Sequence, residues 1–330
     1  MLFTSLPVTP VDPLVILLGG LVFDAALGEM RLFFRFVPHP VVAIGGLIAF
    51  LEKRLNRETR GRSARRLRGA IVTIFVVAIA FAAGWVVVAL FRQRHWGWLV
   101  ELALVGILVA QRSLYDHVFA VCTGLETGGL PRGREAVRHI VGRDPNSLDE
   151  YGVARAGVES LFENFADGVV APAFWYVLLG LPGLMAYKAV NTLDSMIGHR
   201  SPRYRDFGAF AAHLDTAVNY VPARLSGAII TLAAFFAPGG NPFAALRTML
   251  RDARKHRSVN AGWPEGAAAG ALGLALAGPR RYGAEVAKDP WIGDGRARVT
   301  TVDMRRALYL FIVACLIHAA LIGLLLFAPI

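Results

Sequence analysis

Long apolar stretches recur along the chain, separated by connectors that carry most of the charge. Gly69 to Phe91, Trp98 to Val121, Val169 to Val190, Val218 to Ala237 and Ala307 to Ala328 each come close to the roughly 20 residues that one helical crossing of a bilayer requires. Leu14 to Leu27 is shorter, and reads as a tilted crossing or a re-entrant piece. A bilayer offers no water to unpaired backbone, so this pattern predicts an all-α, polytopic integral membrane helical protein with re-entrant or broken helices. A break is expected in Val169 to Val190, where Leu181-Pro182-Gly183 interrupts the run and Pro172 sits near its start, because proline removes a helical donor. That segment is either one kinked crossing or two half-helices dipping in and out. The second arrangement keeps every polar motif on one side.

Composition strengthens the membrane reading: 55% of the 330 residues are hydrophobic and the mean hydropathy is +0.49. The net charge of +11 suggests nucleic acid at first sight, but no DNA- or RNA-binding pattern accompanies it, and none is expected to bind. Lys53, Arg54, Arg57, Arg60, Arg62, Arg65, Arg66 and Arg68 crowd one connector. The positive-inside rule places it in the cytoplasm, against anionic headgroups of the inner (cytoplasmic) membrane. Cytoplasmic loops at about 52–68, 122–168 and 239–306 follow, in a single polytopic membrane domain over 1–330. No internal repeat, low-complexity tail or domain linker is expected. Cys122 and Cys315 share no metal-ligand spacing and read as small hydrophobes. No cleaved signal peptide is expected before the first apolar run.

Ionisable groups close to hydrocarbon are candidates for function by default. On a helix, Glu159, Glu163 and Asp167 fall four residues apart and form an acidic stripe, with Ser160 and Asn164 beside it. No Lys or Arg interleaves them. Magnesium would remove their mutual repulsion, since it takes oxygen ligands, keeps waters and bridges carboxylates to phosphate. A solvated acidic face is the plain alternative. A second polar element, NTLDSMIGHR, places Asn191, Asp194 and Ser195 within one turn, near Lys188 and ahead of His199, Arg200, Arg203 and Arg205. A helix cap would explain one of these residues, not all. In a third, KHRSVNAGWPE, the polar contacts would come from His256, Asn260 and Glu265, while the small residues that follow favour close helix packing. His39 stands in a Pro-His-Pro corner, where a structural role is the commoner outcome. The phosphate-loop, dinucleotide, HExxH and GxSxG signatures are missing, so any nucleotide cradle here is not a standard one.

Taken in order, DAALGEMRLFFRFVPHPVVAIG, GRD at Gly142 to Asp144, VESLFENFADGVVAP, YKAVNTLDSMIGHR, NYVPARL and SVNAGWPE with GALG resemble the CobD/CbiB family, the adenosylcobinamide-phosphate synthases of cobalamin biosynthesis. The resemblance runs from about Asp24 to Gly293. It implies an integral membrane ligase that joins adenosylcobyric acid to an amino alcohol, usually as its O-phosphate, through an amide bond, with ATP as co-substrate and magnesium.

Against that implied reaction, residue chemistry assigns Glu159, Glu163, Asp167 and Asp194 to magnesium, with Asn164 and Asn191 orienting phosphate or corrin amides. Arg143, Lys188, Arg200 and Arg203 would neutralise phosphate, since an Arg fork matches phosphate oxygens. Ser195, His256, Asn260 and Glu265 would line the substrate site, with His39 or His256 as base for the incoming ammonium. Expected partners are the two substrates and membrane lipids, with a homo-oligomer or an assembly of cobamide enzymes as further options. Two rivals stand beside this reading. Membrane prenyltransferases also hold magnesium diphosphate with acidic helices, but through DxxxD-like clusters. A secondary transporter would show corresponding broken helices in two halves.

Overall fold

The computed structural model describes residues 11–28, 34, 39–141, 144–282, 285–287 and 289–328, and they are overwhelmingly helical. In chain order the helices are α1 (Pro13–Leu27), α2 (Pro40–Leu55), α3 (Arg62–Phe91), α4 (Gly97–Leu108), α5 (Gln111–Val137), α6 (Glu150–Phe165), α7 (Ala171–Ile197), α8 (Ala209–Val218), α9 (Tyr220–Ala233), α10 (Pro242–Asp252), α11 (Gly262–Leu272) and α12 (Thr301–Leu325). Several starts are written locally. Asp12 and Asn241 accept backbone N–H groups ahead of a proline at the first helical turn. Asp149 caps α6 through Gly152 N at 2.7 Å, and Thr300 with Asp303 closes a capping box on α12.

Four helical stretches are long and apolar enough to cross a membrane: Arg62–Phe91, Gly97–Val137, Glu150–Ile197 and Thr301–Leu325. The protein is therefore an all-α, multi-pass membrane protein. Its contacts fall into two compact units, Met1–Ala110 with Ala171–Asn219, and Gln111–Val170 with Tyr220–Ile330.

In the first unit α3 packs along α7, and α2 and α8 close on both. Ile48, Val72, Val76, Leu193, Ile197 and Phe207 form the centre of its core. Small residues set the close approaches: a Cβ on Gly84 would lie 2.7 Å from Pro182 Cα, and one on Gly106 would lie 3.0 Å from Gly20 O. In the second unit α11 lays its Gly and Ala face on α10, where a Cβ on Gly266 would come within 3.2 Å of Met249 Cα. The small-residue run thus serves packing. Phe165 meets Phe311 edge-on at 5.7 Å, joining α6 to α12. Two short antiparallel ribbons follow α11: β1 (Leu276–Ala277) with β4 (Trp291–Ile292), and β2 (Arg280–Tyr282) with β3 (Glu285–Ala287).

Several expected boundaries change. The single crossing Trp98 to Val121 is two helices, because Val109 turns extended (φ −88°, ψ 153°) at the end of α4. Apolar flanks on both sides conceal that break. The run Val218 to Ala237 holds α9, whose 14 residues are fewer than a crossing needs. Within 122–168, the second half of α5 and all of α6 are helical, as the acidic stripe on a helix requires.

The expected break in α7 is present at Gly180 (φ 67°, ψ −160°), two residues before Pro182. α5 carries the same device at Gly129 (φ 61°, ψ −158°), two residues before Pro131. Both are Gly-Leu-Pro, one in each unit, with glycine in a region that side chains rarely reach. A second correspondence links α3 and α9. Arg66 to Thr73 reads RLRGAIVT and Arg224 to Thr231 reads RLSGAIIT, again one in each unit. In both, the threonine hydroxyl donates to the glycine carbonyl at 2.9 Å. The expectation of no internal repeat is corrected: two short motifs recur, too brief to stand out among apolar neighbours.

Candidate functional site

In the second unit the acidic stripe straddles a change of helix type. α6 gives way after Phe165 to a π-helical turn, Ala166–Val170, and such turns cluster at functional positions. Widening the turn re-aims the residues that follow. Glu159 is only 5% exposed, whereas Glu163 and Asn164 face out and Asp167 is half-buried. Glu159 belongs to the packing: its Oε1 accepts Ala277 N at 2.8 Å and lies 3.7 Å from Arg155 Nε. Ala277 holds a positive φ of 57° at that point. The Glu159 carboxylate pins the β1–β4 ribbon to α6, and the four-residue spacing does not yield three equivalent ligands. Asn164 donates to Ser160 O at 2.9 Å, and Ser160 in turn donates to Ile140 O at 2.9 Å.

Against the π turn packs α9, whose first turn presents Arg224. Its guanidinium lies 3.4 Å from the Tyr220 ring centre and 4.6 Å from that of Trp263. Nη1 donates to Tyr220 O at 2.6 Å and to Asn260 Oδ1 at 3.2 Å. An arginine at the head of an apolar helix thus has a fixed geometry. Beside it, Glu265 is 1% exposed and its Oε1 stands 3.7 Å from His256 Nε2. His256 Nδ1 accepts from Ser258 N at 3.0 Å. The same Nδ1 stands 3.3 Å from Ser258 O, and Nε2 faces Glu265. Sequence reasoning marked Arg224 only as oddly placed and passed over Tyr220 and Trp263. The aromatic residues spaced around the arginine were the available signal.

At the end of α10, Asp252 is 1% exposed and accepts from Arg251 Nη2 at 2.6 Å, Lys255 Nζ at 2.7 Å and Gly293 N at 2.9 Å. The Arg251 hydrogen bond, with those of Lys255 and Gly293 and against the opposing effect of burial, holds its carboxyl well below the usual carboxylate range. Arg251 also reaches Asp294 at 2.9 Å. This cluster ties the ribbon to α10.

In the first unit, Lys188, Asn191, Asp194 and Ser195 fall on the last turns of α7. The Ser195 hydroxyl donates to Asn191 O at 2.9 Å. Asp194 sits over Gly198, where any Cβ would collide with its carboxylate. Arg200 is exposed just beyond. Arg203, expected on phosphate, instead lays its fork on Glu52, Nε at 3.0 Å and Nη2 at 2.9 Å. Asn56 donates to Glu52 at 2.8 Å and receives Arg65 Nε at 3.0 Å, while Arg65 Nη2 also reaches Arg203 O. Burial alone would raise the Glu52 pKa, but hydrogen bonds from Arg203 and Asn56 outweigh it and hold the carboxyl below its ordinary value. His39 caps α2, its Nδ1 accepting from Val41 N at 3.2 Å, so the ring's neutral lone pair is spent on the helix start. Arg143 lies outside the described residues.

Among the described residues, no three His, Cys, Asp or Glu side chains gather closely enough to hold a metal. Glu163 and Asp167 nonetheless match the one or two carboxylates that magnesium commonly takes when water and phosphate complete its shell.

Comparison with known proteins places these residues in context. A family description, "CobD/Cbib protein", matches residues 17–311. The chain is 48% identical over 320 residues to "Cobalamin biosynthesis protein CobD" of Brucella suis biovar 1 (strain 1330), covering 94% of this chain and 98% of the relative. It is similarly 48% identical over 312 residues to the protein of that name from Sinorhizobium sp, covering 94% and 97%. For the protein of that name from Rhodobacter capsulatus the identity is 47% over 291 residues, covering 87% and 89%. No solved structure gave a significant match.

Proposed function

The chain belongs to the CobD/CbiB family of cobalamin biosynthesis proteins, and on that premise we propose that it is an adenosylcobinamide-phosphate synthase of the inner membrane. The reaction joins the carboxylate of adenosylcobyric acid to the amine of (R)-1-aminopropan-2-ol O-phosphate, or a related amino alcohol, at the expense of ATP.

The observation that carries this reading is Arg224 clamped between Tyr220 and Trp263 and bonded to Asn260, on a helix that packs against the acidic π turn. Anionic reactants need fixed positive charge, and a stacked, immobile guanidinium supplies it without reorganisation. Asn260 orients that guanidinium, and Glu265 with His256 holds the start of α11 on which Trp263 sits. Glu163 and Asp167 would hold magnesium, which when bound neutralises phosphate charge. Asn164, exposed beside Glu163, contributes an amide to phosphate or to the corrin side chains. In the first unit, Lys188, Asn191, Asp194, Ser195 and Arg200 are assigned to substrate contact, each to be tested by its own substitution. The base role is not extended to His39, which spends its Nδ1 lone pair on Val41 N–H, and falls to His256, whose Nε2 faces the buried Glu265.

Detergent-purified protein incubated with adenosylcobyric acid, aminopropanol phosphate, ATP and magnesium should yield the amide, detected by mass. Arg224→Ala should lower kcat/KM about 100-fold, on the order of 2.7 kcal/mol, with the melting curve retained. Absence of product with any nucleotide would reject the ligase reading.

One observation favours a second reading. The paired Gly-Leu-Pro breaks are what a carrier with two corresponding halves would show. Uptake of labelled amino-alcohol phosphate into proteoliposomes, without amide formation, would select that reading.

A further inference from the structure

At the end of α3 remote from Arg62, the first unit contains a cleft that the ligase reading does not use. It is shallow and open, with an interior of about 70 Å³, and is lined by Phe81, Trp85, Arg92, Glu101, Tyr176 and the broken turn of α7 at Gly180 to Pro182. Glu101 is 5% exposed, inside an apolar stretch able to cross the membrane, and accepts the Tyr176 hydroxyl at 2.7 Å. Arg92 lines the same cleft, and its Nε is buried with no acceptor among the described residues. Arg92 and Glu101 act on each other electrostatically, yet among the described residues the Arg92 Nε–H keeps an open donor and the carboxylate accepts one hydrogen bond, from Tyr176, which is costly in an apolar surround. A ligand that offers an acceptor to Arg92 and a donor to Glu101 would fill the bonding positions this pair leaves open.

Height in the membrane narrows the ligand. α3 has 30 residues, a rise of about 45 Å, close to the thickness of a bilayer with its headgroups. With the basic connector at one surface, Arg92 stands at the headgroup level of the other. Trp85 and Trp96 are exposed around it at 46% and 44%, as expected of residues at a membrane interface. Trp85 and Phe81 run from there toward the apolar middle of α3, and Leu178, exposed on α7, forms the opposite wall.

We infer that this cleft binds a phospholipid whose headgroup is a primary amino-alcohol phosphodiester of the phosphatidylethanolamine type. Its phosphate meets Arg92, its ammonium meets Glu101, and an acyl chain lies along Phe81, Trp85 and Leu178. A primary ammonium donates hydrogen bonds to Glu101 that a trimethylammonium cannot, so the cleft discriminates ethanolamine from choline headgroups.

The test is native mass spectrometry of the full chain released from nanodiscs of dioleoyl-phosphatidylethanolamine, -phosphatidylcholine or -phosphatidylglycerol, with melting curves alongside. The wild type should retain the ethanolamine lipid at least tenfold over the choline lipid. Glu101→Gln should erase that preference while lipid is still retained, and Arg92→Ala should lose retention. Trp85→Ala, at an exposed position that leaves the fold intact, should weaken retention of all three lipids. No headgroup preference in the wild type, or a preference surviving both Glu101→Gln and Arg92→Ala, would overturn the inference. Free phosphoethanolamine displacing the lipid at equal concentration would also overturn it, by showing that the acyl wall contributes nothing.

Discussion

Arg203 places both arms of its guanidinium on Glu52, at 3.0 and 2.9 Å, and so binds the loop after α7 to the end of α2. Asn56 and Arg65 extend the contact, with Asn56 also donating to Arg203 O at 3.1 Å. Held this way, Arg203 contributes to the stability of the fold. Arg203→Ala and Glu52→Ala should each lower the melting temperature, and the double variant should melt no lower than the worse single, because either change already removes the shared interaction. Thermal melts of the three variants in one detergent check this. Fully additive losses would show that the two residues act separately.

Asp252 gives the fold a dependence on acid. Its pKa is depressed in the folded state, chiefly by Arg251, against about 3.9 for an unfolded chain. The stabilisation is therefore complete above the unfolded value and is lost as pH falls below it toward the folded one. Melting temperature measured from pH 6 to pH 3 should fall for the wild type. Asp252→Asn should start about 2 kcal/mol less stable and vary less over the same window. An unchanged pH slope in Asp252→Asn would remove this role.

Much of the architecture was readable from apolar runs because a bilayer imposes helix on any long hydrophobic segment. Runs alone do not report breaks that keep the composition apolar, which is why the end of α4 at Val109 was hidden. The break in α7 was legible from Pro182, whereas its counterpart at Gly129 falls in the stretch 122–168 that the charge pattern assigns to a cytoplasmic connector. Within the candidate site, spacing identified Glu159, Glu163 and Asp167 but could not foresee that α6 buries Glu159 while exposing Glu163, or that a π turn sets Asp167 apart from both. Glu159 was read as a ligand because a buried backbone N–H over a hundred residues away, at Ala277, leaves no local trace. The Arg224 clamp depends on Trp263 reaching it from another helix, a contact that only the fold supplies.

The recurring RLxGAIxT motif makes an asymmetric prediction. A Cβ on Gly69 would fall on the Phe207 backbone carbonyl, which cannot move aside cheaply, whereas the nearest atom to a Cβ on Gly227 is the flexible Met249 Sδ, at 2.5 Å. Gly69→Ala should cost more stability than Gly227→Ala, by about 1 to 3 kcal/mol. Denaturant melts of the single variants would measure it. Equal losses would mean that α3 shifts as freely as α9.

Glu159 and Glu163 stand four residues apart on one helix yet should fail in different ways. Glu159 accepts Ala277 N and faces Arg155, so Glu159→Ala leaves a buried N–H unsatisfied and should cost about 1 to 3 kcal/mol of stability. The surviving folded fraction should keep its magnesium requirement. Glu163 is exposed at the edge of the π turn, so Glu163→Gln should change stability by no more than about 0.5 kcal/mol. If it holds the ion, however, amide formation should fall and the magnesium concentration for half-maximal rate should rise about tenfold, since one anionic ligand has become neutral. Magnesium titrations of both variants, paired with their melts, separate the roles. A Glu163→Gln protein with an unchanged magnesium dependence would remove that residue from the metal site and leave Asp167 to be tested in the same way.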